Sequence, residues 1–287
     1  MVESVTPDQN IPSTDAPPRQ DHNGVTVITG GSEGLGLSLA HQFAGAGHAL
    51  LLVARTESAL EASAQALRTM HPVTVQTVVA DLSTEAGRDA VEAAVHVNGL
   101  HVEFLVNNAG VGNAGPFAEA DASEIEHMLQ LNVLALTDLT RRFLPDMIAR
   151  DHGGVLNVAS LGGLVPGPFQ SAYYASKAYV VSVTEALAAE LSRTGLRISV
   201  LAPGVVKTQF HVRMGVKHDY YLKVLPSMDP DRVARITFNG FMRGRTVIVP
   251  GLFSRANALA IKLLPHAIVV PVTRLLLRRR QGRAQRA

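Results

Sequence analysis

The run Val25-Thr26-Val27-Ile28-Thr29, followed at once by Gly30-Gly31-Ser32-Glu33-Gly34-Leu35-Gly36, sets the tightest limit on how this chain folds. A short β-branched run that stops at glycines reads as a buried strand. A helical pattern then continues to Gly47. Strand, glycine turn and helix in that order make a phosphate cradle. The glycines let the backbone come close to a pyrophosphate, and the helix N-terminus offers free N–H groups and the positive end of its dipole. Gly30, Ser32, Glu33, Gly34, Leu35 and Gly36 are the expected lining of that cradle.

The same alternation then repeats. Apolar runs at 49–54, 73–80, 102–106, 155–159 and 198–201 read as strands, and a last one at 246–249 follows a helix capped by Asp229 and Pro230. Helical patterns lie between them. One spans 58–70, with Ser58 and Glu61 as a capping box, and another ends near 97. A long helix is expected over 121–148, capped by Asp121 and Glu124, and another from about Tyr173 to about 192. Residues 161–170 read as a flexible loop. Strands that alternate with helices imply an α/β fold with a parallel sheet and right-handed crossovers, and ligands bind at the C-terminal edge of such a sheet.

Polar residues gather at that edge. Arg55 ends the second strand, where an arginine suits a ribose 2′-phosphate and an acid would suit a 2′-hydroxyl. It points to NADP over NAD, although Glu33 close by would repel a phosphate. Asp81 ends the third strand, either accepting from an adenine amine or capping the helix that begins near Ser83. Asn107-Asn108 ends the fourth strand. Its amides can tie neighbouring strand ends together and leave Ala109-Gly110 facing a ligand. Asn132 interrupts an apolar helix, where a buried amide is costly unless it is used. Ser160 ends the fifth strand, and Tyr173 and Lys177 stand one helical turn apart. An ammonium near a phenol favours the phenolate, which readies Tyr173 to exchange a proton with a carbonyl or alcohol oxygen.

Composition narrows the classes. The 287 residues are 47% hydrophobic and 17% charged, enough for one sizeable core. No Cys occurs, so disulfides and thiolate metal sites are excluded, and the histidines lack metal-ligand spacing; no metal is expected. Net charge is only +2, and residues 274–286 hold six arginines without an acid. That is a basic tail rather than a basic groove, and it predicts no nucleic-acid partner. Residues 1–22 are polar and Pro-rich and read as a disordered leader with no secretory core. No apolar run reaches the roughly 20 residues of a membrane span.

Taken together, Thr29-Gly30-x-x-x-Gly34-x-Gly36, Asn107-Asn108-Ala109-Gly110, Asn132, Ser160, Tyr173-x-x-x-Lys177 and Pro203-Gly204 resemble, in order and spacing, the short-chain dehydrogenase/reductase family over roughly residues 23–250. The resemblance implies a Rossmann-type doubly wound parallel sheet, three layers αβα in a single domain, and an oxidoreductase using NADP(H), with NAD(H) as the alternative. It implies a catalytic tetrad. Tyr173 is the general acid in reduction, Lys177 lowers its pKa and holds the nicotinamide ribose, and Ser160 orients the substrate oxygen. Asn132 holds a water that relays protons to Lys177. By the same resemblance Asp81 and Asn108 match adenosine-side positions, and Arg55 matches the position that marks NADP users. Leu82, Ala109, Gly110, Pro203, Gly204 and Val206 also contact the cofactor, and Thr208 holds the nicotinamide carboxamide. Tyr174 also carries a phenol, but its spacing to Lys177 is three, so Tyr173 is the match.

Beyond the sixth strand, residues 209–228 lie where the family carries its variable lid. Phe210, Met214, Tyr220, Tyr221, Leu222, Val224, Leu225 and Met228 are apolar, which predicts an apolar carbonyl or alcohol substrate (3-oxoacyl, steroid-like or lipid) or a lid that packs on its own core. Residues 251–287 form an extension. Over 256–277 prolines split an apolar stretch into two short amphipathic helices with arginines beyond, suited to a membrane surface, a protein partner or a subunit contact. The expected setting is cytoplasmic, with peripheral membrane contact through 256–287, and the expected assembly is a homodimer or homotetramer through the helices at 121–148 and 171–192. A catalytically silent dinucleotide-binding protein on the same scaffold is the competing reading.

Overall fold

The computed structural model describes residues 23–216 and 220–278; the expected leader 1–22 and residues 279–287 lie outside them. Seven parallel strands form one sheet: β1 (Gly24–Thr29), β2 (Ala49–Ala54), β3 (Val75–Val79), β4 (His101–Asn107), β5 (Gly154–Val158), β6 (Arg197–Leu201) and β7 (Val247–Ile248). Their order across the sheet is β3-β2-β1-β4-β5-β6-β7. The order reverses direction beside β1, between β1 and β4, which opens a crevice at the C-terminal edge there.

The central strands β1, β2, β4, β5 and β6 are buried on both faces, so their side chains divide with period two. Ile28, Leu50, Leu52, Phe104 and Val106 face one layer, built from α1 (Gly34–Gly45), α2 (Glu57–Met70) and α9 (Pro230–Met242). Phe43, Phe104 and Phe241 meet there with ring centroids 5.4 to 6.2 Å apart. Val25, Val27, Leu51, Val53, Leu105 and Val155 face the other layer, built from α3 (Glu85–Val97), α5 (Leu136–Arg150) and α6 (Ser171–Glu190). The expected Rossmann-type αβα arrangement is what the chain adopts.

Local details differ from the sequence reading. No capping box opens α2: Thr56 precedes it without a side-chain bond, and Glu61 instead accepts from Arg68 and Thr77. Thr84, not Asp81, caps α3 by accepting from Gly87 N. The helix expected over 121–148 is three segments. Asp121 caps α4 (Ala122–Leu129), a π-helical turn follows over Gln130–Ala135, and α5 continues to Arg150. The segment 161–170 is not a loose loop. Leu161–Leu164 forms a 3₁₀ turn, the Tyr174 ring packs on Gly162 and Gly167, and Phe169 O accepts from Gly115 N. Asp229 caps α9 with Pro230 in its first turn, as expected.

After β6 come α7 (Phe210–Arg213) and α8 (Tyr220–Val224), and after β7 come α10 (Leu252–Leu263) and α11 (His266–Leu277). The prolines act in two ways: Pro265 separates α10 from α11, whereas Pro271 sits inside α11. Among the described residues no helix is long and apolar enough to cross a membrane.

Candidate active site

A cavity of about 1080 Å³ lies over the C-terminal ends of β1, β2, β4, β5 and β6. Its size suits a dinucleotide together with a substrate. The glycine turn between β1 and α1 forms one wall. Gly30 has φ +65 and Gly34 φ +54, left-handed values that a side chain would strain. Gly36 has no room at all: a Cβ there would stand 2.1 Å from Gly30 O and 2.5 Å from Asn108 Nδ2. The turn is thus pressed flat against the β4 end, with the N-terminus of α1 open to the cavity. This is the cradle that a pyrophosphate fits.

Thr29 and Asn108 hold the two strand ends together. The Thr29 hydroxyl accepts from Asn108 N and Ala109 N, and Asn108 Nδ2 donates to Thr29 O at 2.9 Å. Asn107 does the same on the other side, donating to Asn157 Oδ1 and Thr140 Oγ1 while Asn157 Nδ2 donates to Thr184 Oγ1. The expectation that paired amides tie strand ends and leave Ala109-Gly110 at the cavity is met. Asn157 and Thr184 are not singled out by the sequence, and Thr29 enters it only as the first residue of the glycine motif. A polar residue inside an apolar strand or helix was the available signal.

Arg55 lies at the cavity mouth, exposed, and no hydrogen bond ties its guanidinium to another described residue. Its charge acts on Asp81. Burial raises the Asp81 carboxyl, but bonds from the Ser83 hydroxyl and amide outweigh this and hold it below the usual range. Asp81 therefore serves the turn before α3, and Leu82 rather than Asp81 lines the cavity. Glu33 is paired: Arg213 of α7 reaches across the glycine turn and donates to its carboxylate from both terminal guanidinium nitrogens. The repulsion that Glu33 was expected to exert on a phosphate is thereby offset.

At the other end stand Ser160, Tyr173 and Lys177. Ser160 Oγ accepts from Gly162 N at 3.0 Å, which leaves its O–H to donate. Tyr173 is 8% exposed, and Lys177 is 5% exposed, with Nζ donating to Val158 O at 2.9 Å and lying 6.0 Å from the Tyr173 ring centroid. Tyr174 points away and packs on the 3₁₀ turn, so only Tyr173 of the pair reaches the cavity. Burial lowers the Lys177 ammonium to about 8. Burial also raises the Tyr173 phenol, more than the Ser160 hydroxyl lowers it, and Lys177 is not among the groups acting on it. This runs against the downward shift expected from sequence, because desolvation of the buried phenol dominates and the Lys177 ammonium exerts no opposing pull on it.

Asn132 lies beneath the cavity rather than on its wall. It occupies the π-helical turn, 1% exposed, accepts from Val111 N, and donates to Val111 O and Ser176 Oγ. The widened turn aims its amide at the loop after β4. Gly110 separates it from Lys177: a Cβ at Gly110 would stand 3.1 Å from Asn132 Oδ1 and 3.4 Å from Lys177 Nζ. Pro203, Gly204, Val206 and Thr208 line the wall after β6.

The lid divides between the two readings that its sequence left open. Phe210, His211 and Met214 line the cavity. Met214, Tyr221, Leu222 and Leu225 also pack with Tyr173, Met128 and Leu277 in one apolar cluster. Val224 is exposed and Met228 joins the core under α9. His211 was not anticipated; its Nδ1 lies 3.2 Å from the Tyr221 hydroxyl, and burial lowers its pKa.

Comparison with known proteins agrees with this geometry. The sequence profile described as short chain dehydrogenase matches residues 24–218. The chain is 34% identical over 177 residues to a very-long-chain 3-oxoacyl-CoA reductase of Aspergillus fumigatus, covering 61% of this chain and 51% of that protein. It is 36% identical over 185 residues to a sulfoacetaldehyde reductase of Chromohalobacter salexigens, covering 64% and 72%. It thus spans about half the length of the 3-oxoacyl-CoA reductase. Among solved structures, a short-chain dehydrogenase from Sphingobium yanoikuyae in complex with NADPH superposes with a TM-score of 0.76 at 30% identity, over 92% of this chain and 100% of that one.

Proposed function

The chain belongs to the short-chain dehydrogenase family, and from that premise we propose that it is an NADP(H)-dependent oxidoreductase that reduces an apolar ketone or aldehyde to an alcohol. The observation that carries this reading is one continuous cavity with the glycine cradle at one end and Ser160, Tyr173 and Lys177 at the other. When bound, the nicotinamide cofactor supplies the hydride. Tyr173 gives its phenolic proton to the carbonyl oxygen as charge develops there, and Ser160 donates a hydrogen bond that orients the same oxygen. Lys177, its ammonium lowered to about 8 by burial, holds the nicotinamide ribose beside Tyr173. Asn132 secures the Gly110–Val111 backbone against which Lys177 is placed.

Preference for NADP over NAD rests on Arg55, which no hydrogen bond ties to another described residue, and on the pairing of Glu33 with Arg213. The NADPH carried by the Sphingobium relative favours the same assignment. An apolar substrate rests on Phe210 and Met214 at the cavity wall, and the name of the Aspergillus relative accords with it. In this reading residues 23–250 are the catalytic unit and 251–287 an extension. The enzyme works in the cytoplasm, as a homodimer or homotetramer with peripheral contact at a membrane.

Fluorescence titration with NADPH and NADH tests it. The wild type should prefer NADPH, and Arg55→Asp should weaken NADPH by roughly tenfold to a hundredfold with little effect on NADH, the worth of a charge-assisted hydrogen bond. Equal losses for both cofactors would remove the 2′-phosphate assignment. Binding of neither by the wild type would return the chain to the silent-scaffold reading.

A further inference from the structure

The two C-terminal helices turn apolar side chains to water in an ordered way. On α10, Leu252, Leu259 and Leu263 are exposed, with Leu252 at 83% and Leu263 at 73%, and they recur at the spacing of one helix face. On α11, Ile268, Val272 and Leu275 do the same. The opposite faces are the buried ones: Ser254 and Ala258 on α10, Val269, Thr273 and Leu277 on α11. Each helix therefore has one face packed on the protein and a second, an apolar stripe unpartnered among the described residues.

Two further facts say what covers the second stripe. The first is charge. Residues 252–278 carry Arg255, Lys262, Arg274 and Arg278 and no acid, and residues 232–287 as a whole hold twelve Lys and Arg without one Asp or Glu. The second is chemistry. The exposed stripes are aliphatic, and within 252–278 the only aromatic is Phe253. Protein interfaces concentrate their energy in Trp, Tyr and Arg and under-use Leu and Val. Aliphatic stripes flanked by cations suit the acyl boundary of an anionic leaflet.

We propose that α10 and α11 seat on an anionic lipid surface, Leu252, Leu259, Leu263, Ile268, Val272 and Leu275 entering the acyl boundary while the flanking basic residues meet the headgroups. This deepens the peripheral contact of the reading above and rests on it for the apolar substrate. The helices are joined to the site. α10 packs on the 3₁₀ turn that follows Ser160, and α11 packs on α8, with Leu277 in the same cluster as Tyr173, Met214 and Tyr221. A leaflet against these helices lies beside the lid, so an apolar carbonyl dissolved in it reaches the cavity without crossing bulk water.

The test is flotation of the full chain with phosphatidylcholine vesicles, with and without phosphatidylserine, at low and high salt. The wild type should float with phosphatidylserine vesicles and lose most of that binding in pure phosphatidylcholine or high salt. Leu259→Glu/Leu263→Glu places charges at positions already in water, so it should fold, bind NADPH as the wild type does, and partition at least about tenfold less. A wild type that stays with the free protein, or a double variant that floats equally well, overturns the proposal. So does a wild-type dimer that the double variant converts to monomer without any flotation, since the stripes then meet a second copy. NADPH binding is read without vesicles, so loss of flotation and loss of the enzymatic reading are separable.

Discussion

Lys177 and Tyr173 are each dominated by burial, in opposite senses. Lys177 is held at about 8 in the folded protein against 10.5. Between those values the unfolded chain binds more protons, so stability rises as pH rises through this window. The burial cost, about 3 kcal/mol, is present in full below about pH 8. Tyr173 and Tyr174 are raised above 10.0 by burial, so above pH 10 the folded state keeps protons that the unfolded state releases, and stability falls. Urea midpoints should therefore climb from about pH 8 and turn over near 10, and Lys177→Met should remove the climb but keep the fall; a climb that survives in the variant would exclude Lys177 as its source. Tyr173→Phe removes only the phenolic proton. Turnover should fall by about a thousandfold or more with NADPH affinity unchanged, and retained turnover would refute the acid role.

Among the elements, the turn between β1 and α1 and the amides after β4 act as one unit. Gly36→Ala would drive its Cβ into Gly30 O and Asn108, a backbone and a bonded amide that cannot yield cheaply. We expect loss of measurable NADPH binding and a destabilisation of roughly 1–3 kcal/mol by thermal melting; a variant that binds normally would mean the turn is looser than its geometry. Asn157, fully buried, joins β4 to α6 through Asn107 and Thr184. Asn157→Ala strands two buried groups and should cost roughly 3 kcal/mol in denaturant unfolding. The role of Asn107-Asn108 could be read along the chain because the amides follow a strand directly. The partners Asn157 and Thr184 could not, since they come from positions 50 and 27 residues further apart.

At the scale of the whole molecule, the C-terminal helices pack beside the candidate site from outside the family's sequence motifs. Leu277 is 3% exposed in the cluster around Tyr173, although it lies far beyond the matched residues 24–218. Leu277→Ala should loosen the lid and raise KM for an apolar ketone about tenfold, equivalent to roughly 1.4 kcal/mol, with NADPH affinity within twofold. Steady-state kinetics beside a cofactor titration distinguishes this from general unfolding, which would lower turnover and the fraction of chains that bind NADPH.

Local chemistry was enough to write the strand–helix alternation, the glycine turn, the Asp229-Pro230 cap and the Tyr173-Lys177 spacing, because each depends on residues adjacent in sequence or one turn apart. Tertiary packing decided the rest. It decided that Tyr173 and not Tyr174 meets the cavity, and that Asp81 bonds its own turn while Thr84 caps α3. It opened a π-helical turn at Asn132, paired Glu33 with Arg213 from 180 positions away, and pushed the Tyr173 pKa up where the sequence implied down. In each case the deciding quantity was burial or a distant partner, and neither is written in the order of neighbours along the chain.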